Sequence, residues 1–336
     1  MNTKNIYEGL DQSVIHDLYK RMQRIRLAEE EVRQTCLKGG VIKCAPHLYQ
    51  GQEAVASGVC TNLVQGDYIF SSHRPHGHYI GANGDLGGFF AELYGKKTGC
   101  SAGKGGEMHL YDKEVGFLGS SSIVGASIPV ATGAALGIKH KKLKNVVVSF
   151  LGDAALEQGA SYESFNFAAI KNLPIVFVVE NNGYAIFSHL KTRQKHDNAY
   201  KRYEDLGVPG MRVDGNNVLE VFSKAKEVIA KIKSGGGPFL LECMTYRILG
   251  HAGPNPDDHI GYRTKEEIDS WIAKCPIKTL ETYMKENNIM DAEQQENLTK
   301  ELIEEIKEAV KFAEDSPFPD DEDLLSDVMS TRRIVI

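Results

Sequence analysis

Two residues with metal-binding oxygens stand close behind two apolar runs of the chain. Asp153 follows the run NVVVSFL, and Asn182 follows the run IVFVV. A hard cation such as Mg²⁺ takes carboxylate, amide and carbonyl oxygens and shares its coordination with phosphates. The small side chains of Ala154 and Ala155 would let backbone N–H groups approach a phosphate closely. These residue types therefore favour metal-assisted binding of a phosphorylated ligand.

Each of the two residues also has a purely structural interpretation. Asp153 could simply cap the helix that follows it, because an aspartate is among the preferred residues at a helix N-terminus. The segment 181–183, Asn-Asn-Gly, could be an ordinary turn. Taken one at a time, the residues leave both interpretations open.

The surrounding elements predict that Asp153 and Asn182 are neighbours. The β-branched runs 145–151 and 175–179 are typical of strands covered on both faces, and 159–171 between them is typical of a helix. Such a βαβ unit has parallel strands and a right-handed crossover. Ligands of open parallel sheets bind outside the carboxyl ends of the strands, where both residues fall.

The rest of the chain extends this pattern to an α/β fold with a mainly parallel sheet flanked by helices. Further helices are predicted over 13–38, 218–234 and 292–313, and a further strand over 239–246. We expect one domain over 1–336, with an N-terminal helical arm at about 1–45 and a C-terminal amphipathic helix at about 292–315. The apolar row of that last helix is short, so we expect it to pack on its own domain.

The stretch 77–137 is unusually rich in glycine and small residues. A low-complexity linker is one interpretation of such a composition. Histidines at positions 78 and 109 lie inside the stretch, and His73, Arg74 and His76 lie just before it. Flexible spacers rarely carry such residues, so a loop region that contributes to a site is the competing interpretation.

Composition excludes several classes of function. The 336 residues include 39 Lys and Arg against 45 Asp and Glu, a net charge of −6, which argues against a nucleic-acid partner. No run approaches the roughly 18 apolar residues of a membrane span. The polar start lacks the apolar core of a secretion signal, and the six cysteines are scattered, so we expect a cytoplasmic protein without disulfides.

Several motifs together resemble one family. Gly152-Asp153-Ala154, followed after 26 residues by Asn181-Asn182, looks like the thiamine-diphosphate motif. The surrounding sequence closely resembles the alpha subunit of the decarboxylating component of heterotetrameric 2-oxoacid dehydrogenases. The similar segments run through nearly the whole chain: 47–54, 73–79, 92–112, 123–129, 152–186, 246–268 and 316–325. The resemblance implies a thiamine-diphosphate-binding fold.

The resemblance also implies roles for individual residues. The Mg²⁺ ligands would be Asp153, Asn182 and the backbone carbonyl of Tyr184. The cofactor would be bound by His47, His73, Arg74, Ser122, Val124, Asp153, Ala154, Ala155, Asn182, Tyr184 and His251. His251 and His109 are the candidate catalytic residues, and a structural role is the alternative for His109.

The same resemblance implies partners. The family takes the glutamate that activates the aminopyrimidine ring from a separate beta subunit, so we expect an α₂β₂ heterotetramer. A 2-oxoacid or acetoin would be the substrate, and a lipoyl-bearing acyltransferase the acyl acceptor. Relatives usually carry a His where Leu249 stands, which leaves the substrate and the acceptor open.

Three other interpretations of the chain compete with this function. A nicotinamide dehydrogenase is disfavoured because no GxGxxG follows a strand. A Walker-type nucleotide site is disfavoured because the glycines at 99 and 103 are spaced one residue too closely and no Ser or Thr follows Lys104. A degenerate subunit that has lost the cofactor is suggested by Ala154, which replaces the third Gly of the motif and could crowd the diphosphate unless its φ is negative.

Overall fold

The computed structural model describes residues 10–326, and its centre is a six-stranded sheet in which all paired strands are parallel. The strand order is β2-β1-β3-β4-β8-β7. These strands are β1 (Tyr68–Ser71), β2 (Phe117–Ser120), β3 (Val147–Gly152), β4 (Ile175–Asn181), β7 (Gly210–Asp214) and β8 (Phe239–Met244). A separate hairpin joins β5 (Tyr184–Ala185) to β6 (Ser188–His189). The predicted α/β class with a mainly parallel sheet is confirmed.

Helices cover both faces of this sheet. They are α1 (Gln12–Lys38), α2 (Glu53–Cys60), α3 (His76–Gly81), α4 (Leu86–Leu93), α5 (Ser127–His140), α6 (Gly159–Ile170), α7 (Leu190–Arg193), α8 (Val218–Lys233), α9 (Lys265–Ile272), α10 (Pro276–Glu286) and α11 (Ala292–Asp315). Short 3₁₀ segments follow at Asp153–Glu157, Ala199–Leu206, Asp258–Ile260 and Asp321–Leu325. Among residues 10–326, no helix has both the length and the apolar character needed to cross a membrane.

The central strands form because their side chains are apolar on both faces. β3 and β4 pair in register from Val147 opposite Ile175 to Gly152 opposite Glu180, and nearly all of their residues are buried. Alternate side chains belong to two different core clusters, one on each face of the sheet. The βαβ unit predicted from the apolar runs is therefore confirmed, with helix α6 as its crossover.

The predicted N-terminal and C-terminal helices are both present. Helix α1 buries a stripe at helical spacing, from Ile15 through Met22 and Ile25 to Val32. Helix α11 buries Leu302 and Ile306 and packs on α1 and α4 of the same chain, as expected from its short apolar row. The first nine residues of the predicted arm lie outside the described residues.

The glycine-rich stretch is ordered structure, so the linker interpretation is wrong. It includes most of α3, all of α4 and β2, and most of α5. Its glycines permit close packing: a Cβ on Gly77 would lie 2.0 Å from the Tyr49 ring. The small residues of this stretch allow helices and loops to pack closely against one another, because protein interiors are packed without spare volume.

Candidate functional site

A cleft of about 300 Å³ lies at the carboxyl ends of the central strands. Residues following β1, β3, β4 and β8 line it, as the rule for ligands of parallel sheets requires. Eleven residues expected from the sequence to bind the cofactor or metal are gathered there: His47, His73, Arg74, Ser122, Val124, Asp153, Ala154, Ala155, Asn182, Tyr184 and His251. The candidate catalytic residue His109 is not among the lining residues.

One wall of the cleft carries oxygen ligands, and we call Asp153, Asn182 and Tyr184 the oxygen wall. Asp153 begins the 3₁₀ segment directly after β3 and is only 1% exposed. Burial raises the pKa of its carboxyl group, although the Arg193 guanidinium opposes this shift. Arg193 forms ion pairs with both Asp153 and Glu157. The carboxylate is therefore compensated by a side chain of this chain.

The two adjacent asparagines after β4 have different surroundings. Asn181 is fully buried and donates from Nδ2 to Glu242 at 2.7 Å, so it belongs to the core. Asn182 lines the cleft, where its Nδ2 donates to Gln52 at 3.0 Å and its Oδ1 accepts from the Tyr184 backbone N–H at 3.2 Å. Gly183 turns the chain between Asn182 and Tyr184 with a φ of +81°, a conformation that favours glycine.

Tyr184 contributes its backbone rather than its hydroxyl to this region. Its hydroxyl donates to the carboxylate of Glu267 on α9, with oxygen distances of 2.9 and 2.8 Å. Burial and that hydrogen bond raise the pKa of the phenol, so the hydroxyl stays protonated. The side chain thus fixes the hairpin β5–β6 against α9, which holds the Tyr184 backbone beside Asn182.

The opposite wall carries cationic and imidazole groups, and we call His47, His73, Arg74 and His251 the cationic wall. The His47 ring lies 5.0 Å from those of His73 and His251, and the latter two are 5.6 Å apart. Arg74 is buried and donates to the Leu48 carbonyl at 2.5 Å and the His251 carbonyl at 2.9 Å. Four groups from three separate loops thereby meet at one point.

A positive charge is disfavoured on two of these imidazoles. Burial, with the nearby Arg74 and the other imidazoles, lowers the pKa of His73 to about 2 and that of His251 to about 3. Burial and Arg247 lower the pKa of Arg74 to about 10. Each added positive charge is thus unfavourable while the site holds only protein groups, and an anion would reverse that cost.

Arg247 adds a further unsatisfied donor to the cleft. It is 1% exposed, and its Nε and Nη1 have no hydrogen-bond partner among the described residues. Its Nη2 donates to the Ile186 carbonyl at 2.5 Å and to the Tyr262 hydroxyl at 2.7 Å. Buried donors without acceptors are rare and costly. The orphaned guanidinium atoms therefore point to an anionic ligand in the cleft.

The three imidazoles also resemble a transition-metal site, since one nitrogen from each lies within 4.8 Å of the others. A divalent cation there would face the buried charges of Arg74 and Arg247. The same charges that disfavour a proton on His73 disfavour a metal ion. We therefore interpret the cationic wall as an anion site.

His109 is exposed and lies beside the cleft lining rather than in it. Its Nε2 accepts a hydrogen bond from the backbone N–H of Ser122 at 3.3 Å, and its Nδ1 lies 3.2 Å from the Gly105 carbonyl. This places it against a residue that lines the cleft. The contact positions the backbone after β2, next to the exposed side chains of Ile123 and Val124.

Sequence reasoning missed several lining residues, notably Arg247, Glu180 and Gln52. Arg247 and Glu180 carried a usable signal, because they stand at the carboxyl ends of β8 and β4 like Asp153 at that of β3. The Glu180 carboxylate accepts from the Tyr49 hydroxyl and lies 3.1 Å from His78 Nε2. Gln52 gave no such signal, because it stands directly before helix α2 and not at the end of a strand.

A buried network joins the hairpin to the loop that carries His251. Tyr262 donates to Asp257, which also pairs with Arg263. Arg263 donates back to the Arg247 carbonyl at 2.7 Å. Because Arg247 holds the Ile186 carbonyl, the segment 247–263 and the tip of the hairpin β5–β6 are tied together at the cleft. Hydrogen bonds of charged groups are among the stronger ones in proteins.

Fold and site define an α/β protein with a cleft at the carboxyl edge of a parallel sheet, lined by side-chain oxygens and by cationic and imidazole groups. The chain belongs to the dehydrogenase E1 component family, whose model matches residues 20–322. The resemblance seen in the motifs is thus confirmed, and the chain is an enzyme component of that oxidoreductase family.

Curated relatives are similar over nearly their whole length. The alpha subunit of acetoin:2,6-dichlorophenolindophenol oxidoreductase from Bacillus subtilis (strain 168) is 43% identical over 312 residues, 93% of this chain and 92% of the relative. The alpha subunit of the pyruvate dehydrogenase E1 component from Rickettsia felis is 38% identical over 311 residues, 92% and 94% of the two chains. The acetoin-oxidising alpha subunit from Cupriavidus necator is 38% identical over 320 residues, 95% of each.

Proposed function

We propose that this chain is the alpha subunit of a thiamine-diphosphate- and Mg²⁺-dependent dehydrogenase that acts on a 2-oxoacid or acetoin. The observation that carries the proposal is the pairing of an oxygen wall with a cationic wall across one cleft. A Mg²⁺–diphosphate group has the matching chemistry: a hard cation for Asp153 and Asn182, and anionic oxygens for Arg74 and the imidazoles.

The residues present fit that group. Asp153 and Asn182 supply oxygen ligands, and the Tyr184 backbone carbonyl would complete a set of three. The proposal is supported by the unpaired Nε and Nη1 of Arg247 among the described residues, and by the pKa values of His73 and His251, which burial and the nearby Arg74 lower. Backbone N–H groups of Ala154 and Ala155, at the start of a 3₁₀ segment, are available to phosphate oxygens.

The alternative of a degenerate subunit loses its main support. Ala154 lies in the 3₁₀ segment Asp153–Glu157 and is not among the described residues with a positive φ. Its methyl group therefore imposes no backbone strain at the position where the motif has glycine. All the expected polar groups of the cleft are also retained.

Thiamine diphosphate, when bound, supplies the carbanion chemistry that allows carbon dioxide or an acyl group to be removed from a ketone carbon. The chain's own contribution would be binding and orientation. Asp153 and Asn182 would hold the metal, while Arg74 and His251 would hold the diphosphate. The network of Arg247 with Tyr262 would keep the His251 loop closed over it and limit the access of water.

The proposal includes a beta subunit, in an α₂β₂ assembly. An exposed apolar surface on neighbouring helices supports a partner: Val130 and Leu136 on α5, and Phe167 and Ile170 on α6, with Ile170 68% exposed. Contiguous exposed apolar side chains mark interaction sites. The B. subtilis and R. felis relatives are both named as alpha subunits.

The rest of the proposal concerns acceptor, organisation and location. A lipoyl-bearing acyltransferase is the proposed acceptor. One domain is supported by a core cluster whose members run from Ile25 in α1 to Ala313 in α11. A cytoplasmic location is supported by six free cysteines, since disulfides are typical of oxidising compartments.

The decisive experiment is calorimetric titration of thiamine diphosphate, with and without Mg²⁺, into the chain co-purified with its beta partner. We expect Mg²⁺-dependent binding that Asp153→Asn weakens at least about a hundredfold, because a carboxylate ligand of the metal is lost. The matched control is Asp205→Asn, which changes an exposed aspartate away from the cleft. Absence of binding by the unaltered complex would refute the proposed cofactor.

A further inference from the structure

Glu107 is a buried acid beside the cationic wall. It is 2% exposed, and its carboxylate accepts from His47 twice, from Nδ1 at 2.7 Å and from the backbone N–H at 3.2 Å. Among the described residues it is the only carboxylate hydrogen-bonded to an imidazole of that wall. An acid next to a proposed diphosphate site needs an explanation, since by charge alone it repels the ligand.

A second buried acid shares a histidine with Glu107. His76 lies with Nδ1 2.6 Å from Glu29 and Nε2 3.5 Å from Glu107, and all three side chains are buried. Burial opposes a charge on His76, but the two carboxylates outweigh it and raise its pKa. With His76 protonated, the three groups together carry one negative charge, and this charge faces His47.

The hydrogen bond between His47 Nδ1 and Glu107 determines whether the other ring nitrogen of His47, Nε2, can donate a hydrogen bond. With Nδ1–H donated to Glu107, a neutral ring has only a lone pair at Nε2, which cannot donate to a phosphate oxygen. A protonated ring donates from both nitrogens. Glu107 is placed to stabilise this charged form, in the way that carboxylates orient and polarise histidines elsewhere.

Other titratable and charged groups surround His47 and Glu107. The groups that face His47 or its partner Glu107 are His73, His251, Arg74, His76, Glu29, and the thiols of Cys36 and Cys44. Burial raises the pKa of both thiols, which therefore stay neutral. Arg74 is the fixed positive charge of this set beside the imidazoles, and an arriving diphosphate would offset it.

We propose that Glu107 is a positioning residue that converts His47 into a proton-carrying donor, so that diphosphate binding takes up one proton at His47. This inference deepens the proposed function and rests on it. The Glu107 carboxylate holds the ring in place through Nδ1, and the incoming anion stabilises the Nε2–H on the opposite edge. His76, which lies 2.6 Å from Glu29, lies 3.5 Å from Glu107 on its other side and helps to hold that carboxylate in place.

The test is calorimetric titration of thiamine diphosphate with Mg²⁺ into the complex at pH 8, in two buffers of different ionisation enthalpy. At this pH the terminal phosphate of the ligand is already ionised, because its second pKa is about 6. The difference between the buffers reports protons taken up on binding. We expect uptake of about one proton by the unaltered complex.

Glu107→Gln keeps the shape and an acceptor for Nδ1–H but removes the charge. We expect proton uptake to fall close to zero and affinity to weaken about tenfold. The matched control is Glu114→Gln, an exposed glutamate on the same segment, which should leave both values unchanged. A purely structural role for Glu107 would lower affinity without changing the number of protons.

Each remaining outcome also decides the question. Binding without proton uptake by the unaltered complex, or uptake retained in Glu107→Gln, overturns the inference while leaving the cofactor proposal standing. No binding by the unaltered complex overturns the cofactor proposal itself. Should Glu107→Gln fail to fold, His47→Gln takes its place, and loss of the proton there supports the assignment to His47.

Discussion

The oxygen wall and the cationic wall of the cleft are built in different ways. Asp153 and Asn182 follow neighbouring strands of a single βαβ unit, so local sequence positions both. The cationic wall draws His47, Arg74 and His251 from three distant loops, and Arg74 ties two of them through backbone carbonyls. A wall made from one supersecondary unit is preformed, whereas a wall made from several loops depends on the tertiary structure around it.

The walls also differ in how their charges are compensated without a ligand. On the oxygen wall, Arg193 pairs with Asp153, so the carboxylate has a substitute cation. On the cationic wall, Arg74 has backbone carbonyls as partners. Beside that wall, two nitrogens of Arg247 have no hydrogen-bond partner among the described residues, although Asp257 lies 4.0 Å from Nη1. A Mg²⁺–diphosphate ligand would therefore displace Arg193 from Asp153 on the oxygen wall. It would also supply acceptors for the unpaired donors beside the cationic wall. Removal of Arg193 and removal of Arg74 should consequently change ligand binding in opposite directions.

The largest change in ligand binding is expected for Arg74→Gln, on the cationic wall. The change removes a buried positive charge and its two donors, so we expect thiamine diphosphate binding to weaken about a hundredfold, measured by calorimetry on the complex. Arg74→Lys keeps the charge but cannot reach both carbonyls, and should give an intermediate loss. Equal affinity in all three proteins would show that the cationic wall does not hold the ligand.

A smaller effect of opposite sign is expected for Arg193→Gln. Without Arg193 the buried Asp153 carboxylate has lost its substitute cation, so Mg²⁺ should bind on the order of ten times more tightly in the presence of cofactor. The cofactor-free complex should melt at a lower temperature, because the carboxylate is then uncompensated. The control is Arg202→Gln, in the following 3₁₀ segment Ala199–Leu206 and in contact with Gln194. Weaker Mg²⁺ binding would instead assign Arg193 to the ligand.

The smallest effect concerns pH and the stability of the cofactor-free complex. Burial and Arg74 lower the pKa of His251 from 6.5 to about 3, so below pH 6.5 the unfolded chain takes up a proton that the folded chain refuses. Stability should therefore fall as pH decreases from 6.5 towards 3. His251→Asn should reduce the loss of melting temperature between pH 7.5 and pH 5, while the exposed His140→Asn should not. An unchanged loss would contradict the electrostatic account of the cationic wall.

Prediction from sequence succeeded where one physical cause dominates. The strands at 145–151 and 175–179 were predictable because long β-branched runs are buried whatever their neighbours are, and both occur with shifts of a few residues at their ends. The helix at 159–171 followed from its position between them. The strands β1, β2 and β7 were not predicted, because each is short and their partly buried sequences carry no clear period.

The candidate site likewise contains residues that the sequence predicted and residues that it did not. Placement of Asp153 and Asn182 in one cleft follows from strand ends, and the motif distinguishes Asn182 from its buried neighbour Asn181. Glu107 could not have been identified from the sequence as a site residue, because its role depends on contacts with His47, 60 positions away, and with a histidine held by a second acid in α1. His109 shows the opposite case, because its residue type suggested a catalytic role but it is not among the residues that line the cleft.

The amino-acid sequence by itself determined the α/β class, the family and the oxygen wall, because these depend on apolar runs and on residues at strand ends, which are local. Only the tertiary structure decided the cationic wall, the orphaned Arg247 and the pairing of Asp153 with Arg193. These depend on which loops meet, and loops are positioned by the packing of the elements they connect rather than by their own residues. Burial then sets the charge of each group, and burial is a property of the whole fold.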